Sequence, residues 1–195
     1  MRLILASTSP YRKTMLQQAG LIFDTLAPAV DETTEKAARP GHDADALALD
    51  LARLKAESVS RQAPEALTIG CDQVLDCAGR LYDKPKDRAE ARVQLAALRG
   101  REHRLATALV LAEGGRAQWS HLAEARLGMR DFADAFLEEY LDAMGARALA
   151  TVGAYEIEGL GAQLFERVEG DQFVIRGLPL LALLAELRRR GAIAS

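Results

Sequence analysis

Short aliphatic runs alternate with helical stretches along nearly the whole chain, and this alternation restricts the fold more than any other feature. Arg2 to Ala6 is an aliphatic run that ends in Ser7-Thr8-Ser9-Pro10. Ser9 fits an N-cap with Pro10 at the first helical position, so a strand, a tight turn and a helix to Gly20 are expected. Phe23 to Leu26 reads as a second strand closed by Pro28, and Val30-Asp31-Glu32-Thr33 as a polar loop. Asp43 caps a helix carrying Ala46, Leu47, Leu49, Leu51 and Leu54 towards Arg61, with Pro64 as its stop. Leu67 to Leu75 returns to strand, and Ala78-Gly79 turns it into Arg80-Leu81-Tyr82 as a hairpin. Asp87 and Glu90 form a capping box for a helix ending at Gly100. His103 to Ala112 and Gln118 to Leu127 read as a long antiparallel pair. Asp131 is expected to cap a helix with Phe132, Phe136, Tyr140 and Met144 on one face. Gln163 to Val168 and Phe173 to Arg176 are strand candidates, and Pro179 to Arg190 is a final amphipathic helix. Strands alternating with helices around one antiparallel section imply an α/β fold with a mixed sheet.

A chain of 195 residues suits one domain over 1–195, with room for two lobes. Aromatics are only 5%, so the interior must be built from Leu, Ala, Val and Ile. The formal charge of −3 has the wrong sign for coating a nucleic-acid polymer or an anionic membrane. No apolar run approaches the roughly 18 residues of a membrane span, and the first run is too short for a signal peptide. A cytoplasmic location is the default expectation. Cys71 and Cys77 lie on one extended stretch, about 20 Å apart, and read as two buried thiols. His42, His103 and His121 are too scattered to supply zinc ligands by local spacing.

Polar clusters interrupt the aliphatic segments at strand ends, where open α/β sheets place ligands. Ser7-Thr8-Ser9-Pro10-Tyr11-Arg12-Lys13 brings a helix N-terminus, hydroxyls and two cations into one turn. Such a turn suits a phosphate, and it equally suits a plain N-cap with solvated basic residues. In Gly70-Cys71-Asp72-Gln73 a carboxylate stands inside an aliphatic strand, a costly placement unless it is paired, hydrogen-bonded or metal-bound. Tyr82-Asp83-Lys84-Pro85-Lys86 adds cations after the hairpin, and Asp31-Glu32 adds acids. Acids for a hard cation and Lys or Arg for phosphate oxygens together read as phosphoryl chemistry. No G-x-S-x-G element or Ser-His-Asp arrangement is present.

Together these clusters resemble the Maf family of nucleoside triphosphate pyrophosphatases. The likeness rests on Leu5-Ala6-Ser7-Thr8-Ser9-Pro10, Val30-Asp31-Glu32, Leu51-Ala52-Arg53-Leu54-Lys55-Ala56, Gly70-Cys71-Asp72-Gln73-Val74 and Asp83-Lys84-Pro85. Leu98-Arg99-Gly100-Arg101-Glu102-His103, Gly153-Ala154-Tyr155-Glu156-Ile157-Glu158-Gly159 and Gly177-Leu178-Pro179 agree with it. The resemblance implies a Maf/ITPase-like mixed twisted sheet with flanking helices, two lobes around a deep cleft, and a homodimer in many members. It also implies cleavage of a nucleoside triphosphate to monophosphate and pyrophosphate with Mg²⁺, or another divalent cation such as Mn²⁺. By motif, Asp72 is the catalytic acid that activates or positions water and also a metal ligand, and Glu32 helps to hold the metal. Ser7, Arg12, Lys13, Lys55 and Lys84 bind the triphosphate, and His103 is structural.

Three positions bear on the base. Tyr11, Gln73 and Glu158 stand where members resembling dTTP/UTP hydrolases carry Arg, Thr and Gln. This set is similar to the branch acting on 7-methyl-GTP, where the first position is typically Trp. Methylation at N7 makes the ring cationic, and stacking on an aromatic face gains about 0.5 to 2 kcal/mol. A carboxylate at Glu158 would accept the paired N1–H and N2–H donors of guanine and repel the carbonyl oxygens of uracil or thymine. Two alternatives stay open: dTTP/UTP hydrolysis, and a non-catalytic nucleotide-binding regulator of cell division.

Overall fold

The computed structural model describes residues 1–39, 41 and 43–194; His42 lies outside them. Along the chain come β1 (Leu3–Ala6), α1 (Pro10–Gln18), β2 (Asp24–Thr25), α2 (Glu32–Ala37), α3 (Ala44–Ser60), β3 (Leu67–Cys77) and β4 (Arg80–Tyr82). They are followed by α4 (Arg88–Leu98), β5 (Glu102–Glu113), β6 (Arg116–Met129), α5 (Asp134–Met144), β7 (Phe165–Glu169), α6 (Gln172–Ile175) and α7 (Leu180–Arg189). Short 3₁₀ turns lie between α5 and β7. The strands form a seven-stranded mixed sheet in the order β2-β1-β3-β5-β6-β7, with β4 paired to β3. β1 runs parallel to β2 and β3, while the β3–β4 and β6–β7 pairs are antiparallel. The α/β class and mixed sheet expected from the alternation are therefore present.

The chain divides into two compact units, one of Met1–Gln73, Thr107–Ala123 and Asp171–Ser195, the other of Val74–Ala106 and Glu124–Gly170. In the first unit the period-2 alternation of the strands splits the core between the two sheet faces. Leu3, Leu5, Leu67, Ile69 and Cys71 pack with Met15 and Leu16 of α1 and with Leu180, Leu183 and Leu187 of α7. Ile4 and Ala6 turn the other way, onto Val59 of α3 with Ala63 and Ala66. Three helix starts form as the caps require: Ser9 accepts from the Arg12 N–H, Asp43 from Ala46 and Asp87 from Glu90.

Five local expectations are corrected. Val30–Thr33 is not a loop throughout: Asp31 accepts the Thr33 and Thr34 N–H groups and starts α2 at Glu32. That helix buries no residue, so it leaves no apolar period to read. Phe173–Arg176 is helical, because the Asp171 carboxylate accepts the Phe173 N–H and caps α6. Asp131 does not cap α5, which begins at Asp134 after Ala133; the Phe132 carbonyl upstream accepts from Arg99 instead. β2 keeps only Asp24–Thr25 of the four-residue run expected, and Gln163 belongs to a 3₁₀ turn before β7.

In the second unit, His103 is buried with its Nε2 2.8 Å from the Tyr155 hydroxyl, and both rings pack on Phe165. Its Nδ1 has no partner among the described residues. Burial lowers the imidazole from its ordinary 6.5 to about 4. Between those values the unfolded chain takes up a proton that the folded chain refuses, so stability is lost as pH falls from 6.5 towards 4 and not further below. At about 1.4 kcal/mol per tenfold in proton affinity, the loss reaches about 3 kcal/mol. Urea midpoints measured across that window should fall less steeply for His103→Gln than for the parent; equal slopes would contradict the assignment.

Candidate active site

The parallel strands end where the polar clusters begin. Ala6 pairs with Gly70, the last parallel register between β1 and β3, so Ser7 and Asp72 both lie just past the carboxyl ends of this parallel pair. Asp72 is only 6% exposed, which makes its partners decisive. The Lys55 ammonium of α3 lies 2.6 Å from Asp72 Oδ1 and 2.8 Å from Glu32 Oε1 at the start of α2. Lys55 is itself buried, so this is an ion pair largely withdrawn from water. Burial pushes the Asp72 carboxyl above the ordinary range, opposed by the charges of Lys55 and Arg12.

Lys55 reaches Asp72 because α3 sits unusually close to β3. A Cβ on Gly70 would lie 2.4 Å from the Ala52 carbonyl oxygen and 2.7 Å from Ala56 Cβ. Small residues at 52, 56 and 70 therefore set the approach. Their spacing, Ala at i and i+4 on a helix opposite a strand glycine, is the signal in the sequence that reports it.

Arg12 is held by backbone. Its Nε donates to the Gly177 carbonyl at 2.8 Å and its Nη1 to the Cys71 carbonyl at 2.8 Å, with Ser7 Oγ 3.5 Å from Nη1. Gly177 adopts φ +91, a left-handed conformation that favours glycine. Its carbonyl also accepts from Cys71 Sγ at 3.1 Å, and burial pushes that thiol up, keeping it protonated. Both cysteines are free and buried. Ser7 Oγ accepts the Ser9 N–H at 3.1 Å, tightening the turn into α1. Tyr11 is half-buried in the first turn of α1, and Lys13 is exposed beside it.

The first unit thus brings Ser7 and Arg12 together, and Lys55, Asp72 and Glu32 together. Gln73 belongs to this unit too, with its amide turned towards Thr107 and α6. Lys84 and Glu158 belong to the second unit, both exposed. There the Asp83 carbonyl accepts from Gln94 at 3.0 Å and steadies the segment carrying Lys84. Glu158 follows Glu156, a buried carboxylate 3.3 Å from Arg147, and the Gly159 N–H closes a turn onto the Glu156 carbonyl. Local pattern reading missed the Cys71 and Gly177 carbonyls that hold Arg12. Carbonyl roles carry no side-chain signature.

Two carboxylates converging on one positive charge form a donor set of hard oxygens that suits Mg²⁺ or Mn²⁺, with the Lys55 ammonium as the cation that meets both here. No group of three or more His, Cys, Asp or Glu side chains converges among the described residues. The remaining ligands of a divalent ion would therefore be waters and substrate oxygens, the usual arrangement for Mg²⁺.

A mixed-sheet α/β protein with a buried carboxylate–lysine pair and a tethered arginine past the strand ends defines a class built for polyanion chemistry. The profile described as Maf-like protein matches residues 2–190, and the chain belongs to the Maf family. It is 45% identical over 194 residues to the 7-methyl-GTP pyrophosphatase of Rhizobium etli, covering 98% of both chains. It is 48% identical to the 7-methyl-GTP pyrophosphatase of Mesorhizobium japonicum, again over 98% of each. To the nucleoside triphosphate pyrophosphatase of Paramagnetospirillum magneticum it is 49% identical, over 97% of this chain and 99% of that one.

Proposed function

We propose that this protein is a nucleoside triphosphate pyrophosphatase whose substrate is 7-methyl-GTP. The observation that carries the chemistry is the buried Asp72 on β3, in contact with Lys55 just past the parallel pairing with β1. Full-length relatives named for this activity support the substrate. In the reaction, water attacks the α-phosphorus, its oxygen stays on the monophosphate, and pyrophosphate leaves.

Asp72 accepts the proton of the attacking water, a task suited to a carboxylate whose proton affinity burial has raised. Lys55 holds Asp72 in place, and Arg12, Ser7 and Lys13 meet triphosphate oxygens, neutralising the charge that develops on the leaving group. Glu32 and Asp72 would hold a divalent cation, which when bound supplies charge neutralisation to the phosphate oxygens. An aromatic face such as that of Tyr11 suits a cationic methylguanine, and a carboxylate such as that of Glu158 suits the N–H donors of guanine. The substrate is a free nucleotide, handled in the cytoplasm. No helix among the described residues is long and apolar enough to cross a membrane.

A panel of 7-methyl-GTP, GTP, dTTP and UTP with pyrophosphate detection tests the reading, the expected order placing 7-methyl-GTP first. Glu158→Gln should lower kcat/KM on it by about ten- to a hundredfold, the worth of a charged hydrogen bond, with less effect on UTP. Equal turnover of all four by the parent protein would remove the base assignment. Nucleotide binding without turnover would favour the regulator.

A further inference from the structure

In the second unit, the chain that leads to Glu158 is constrained at nearly every residue. Gly153 and Ala154 are both left-handed, at φ +77 and +59, and Ala154 is one of two non-glycine residues with positive φ among the described residues. L side chains rarely adopt that conformation, so the surroundings must impose it. A Cβ on Gly153 would stand 2.6 Å from the Tyr155 ring and 2.7 Å from Leu75 Cδ1. The buried Ala154 carbonyl accepts from the Tyr140 hydroxyl of α5 at 3.0 Å. Burial, with the Glu156 charge adding to it, pushes that hydroxyl up, so it stays protonated and remains a donor. Thr151 Oγ1 donates to the Tyr155 carbonyl at 2.8 Å, and the Tyr155 hydroxyl meets His103. Glu156 is then fixed on two sides. Arg147 lies 3.3 Å from its carboxylate, and a Cβ on Gly161 would stand 2.4 Å from its carbonyl oxygen. The Gly159 N–H donates to that carbonyl at 3.2 Å, which makes Ile157 and Glu158 the central residues of a turn.

We propose that Tyr140 is a positioning residue for Glu158. Its hydroxyl holds the strained Ala154 peptide, that peptide sets the direction in which the chain runs on through Tyr155 and Glu156, and the turn built on Glu156 carries the Glu158 carboxylate. Without the hydroxyl a buried carbonyl loses its donor, and one restraint fewer keeps Ala154 left-handed. The inference rests on Glu158 as the carboxylate that accepts the N–H donors of guanine. Uracil lacks that pair of donors, so losing the anchor should be felt on methylguanine and not on uracil.

The test is Tyr140→Phe, which keeps the buried ring and removes the hydroxyl. The kcat/KM for 7-methyl-GTP should fall about tenfold, within the roughly hundredfold that misplacement by about an ångström can cost, with that for UTP unchanged. In a Glu158→Gln background the same substitution should cost little more, because its target is gone. Equal falls on both nucleotides, or losses that add in the double variant, would make Tyr140 merely structural and overturn the proposal. An unchanged rate on 7-methyl-GTP would overturn it as well. Amide hydrogen exchange gives a readout that needs no substrate: residues 156–159 should exchange faster in Tyr140→Phe while α7 keeps the parent rate, and parent exchange at 156–159 would contradict the anchor. Should Tyr140→Phe fail to fold, Tyr155→Phe removes the hydroxyl that meets His103 and is read the same way. If Glu158→Gln alone leaves 7-methyl-GTP turnover unchanged, the base assignment falls. If Glu158→Gln lowers it and Tyr140→Phe does not, only the positioning role falls.

Discussion

Replacing Asp72 by Asn is expected to lower pyrophosphate release by about a thousandfold, in the range for loss of a general base, while leaving the protein folded. Asparagine keeps an oxygen acceptor for the Lys55 ammonium at the same place. Lys55 also retains Glu32 at 2.8 Å, so no buried charge is left unpaired. What asparagine cannot do is take a proton from water. Urea unfolding checks the first half and a pyrophosphate assay at saturating Mg²⁺ the second. A variant that turned over at the parent rate would transfer the proton to another group and sink the role given to Asp72. Removing Lys55 instead is a poorer test, since an uncompensated carboxylate 6% exposed would lower stability and confuse the two effects.

Gly70→Ala, far milder on paper, is expected to damage both stability and rate. Its methyl group would stand 2.4 Å from the Ala52 carbonyl oxygen and 2.7 Å from the Ala56 nitrogen, and these backbone atoms cannot rotate away. The helix must move as a body, at a cost of about 1 to 3 kcal/mol for overpacking. Lys55 moves with it and leaves the 2.6 Å contact to Asp72. Thermal unfolding and kcat measured on the same preparation should fall together. Gly20→Ala is the control: nothing lies within 4 Å of a Cβ there, but φ +75 still disfavours alanine, so a stability loss without a loss of rate is expected. Unchanged kcat in Gly70→Ala would show that the approach of α3 does not set the active geometry.

Why some of this was legible in the residues and some was not follows from range. Ser9, Asp43 and Asp87 cap helices because a side-chain oxygen reaches an N–H two or three residues on, and such a bond is written in adjacent letters. β3 was recognisable from its aliphatic run, and Asp72 from its cost within that run. α2 and α6 were not, because a six-residue exposed helix and a four-residue half-buried one are too short to show a period. The end of α5 at Gly145 was legible and its start was not, since the Phe132 carbonyl is taken by Arg99, a residue 33 positions away.

The order of strands and helices, the caps, the aliphatic core and the set of acids and cations available for phosphate chemistry follow from the residues alone, because propensity and hydrophobic alternation act over a few neighbours. Tertiary structure decided which of those groups meet. Lys55 pairs with Asp72 and Glu32 because Ala52, Ala56 and Gly70 let a helix and a strand approach closely. Arg12 is aimed by carbonyls that lie 59 and 165 residues along the chain. Packing distances across such separations depend on every side chain in between, which is why no local pattern carries them.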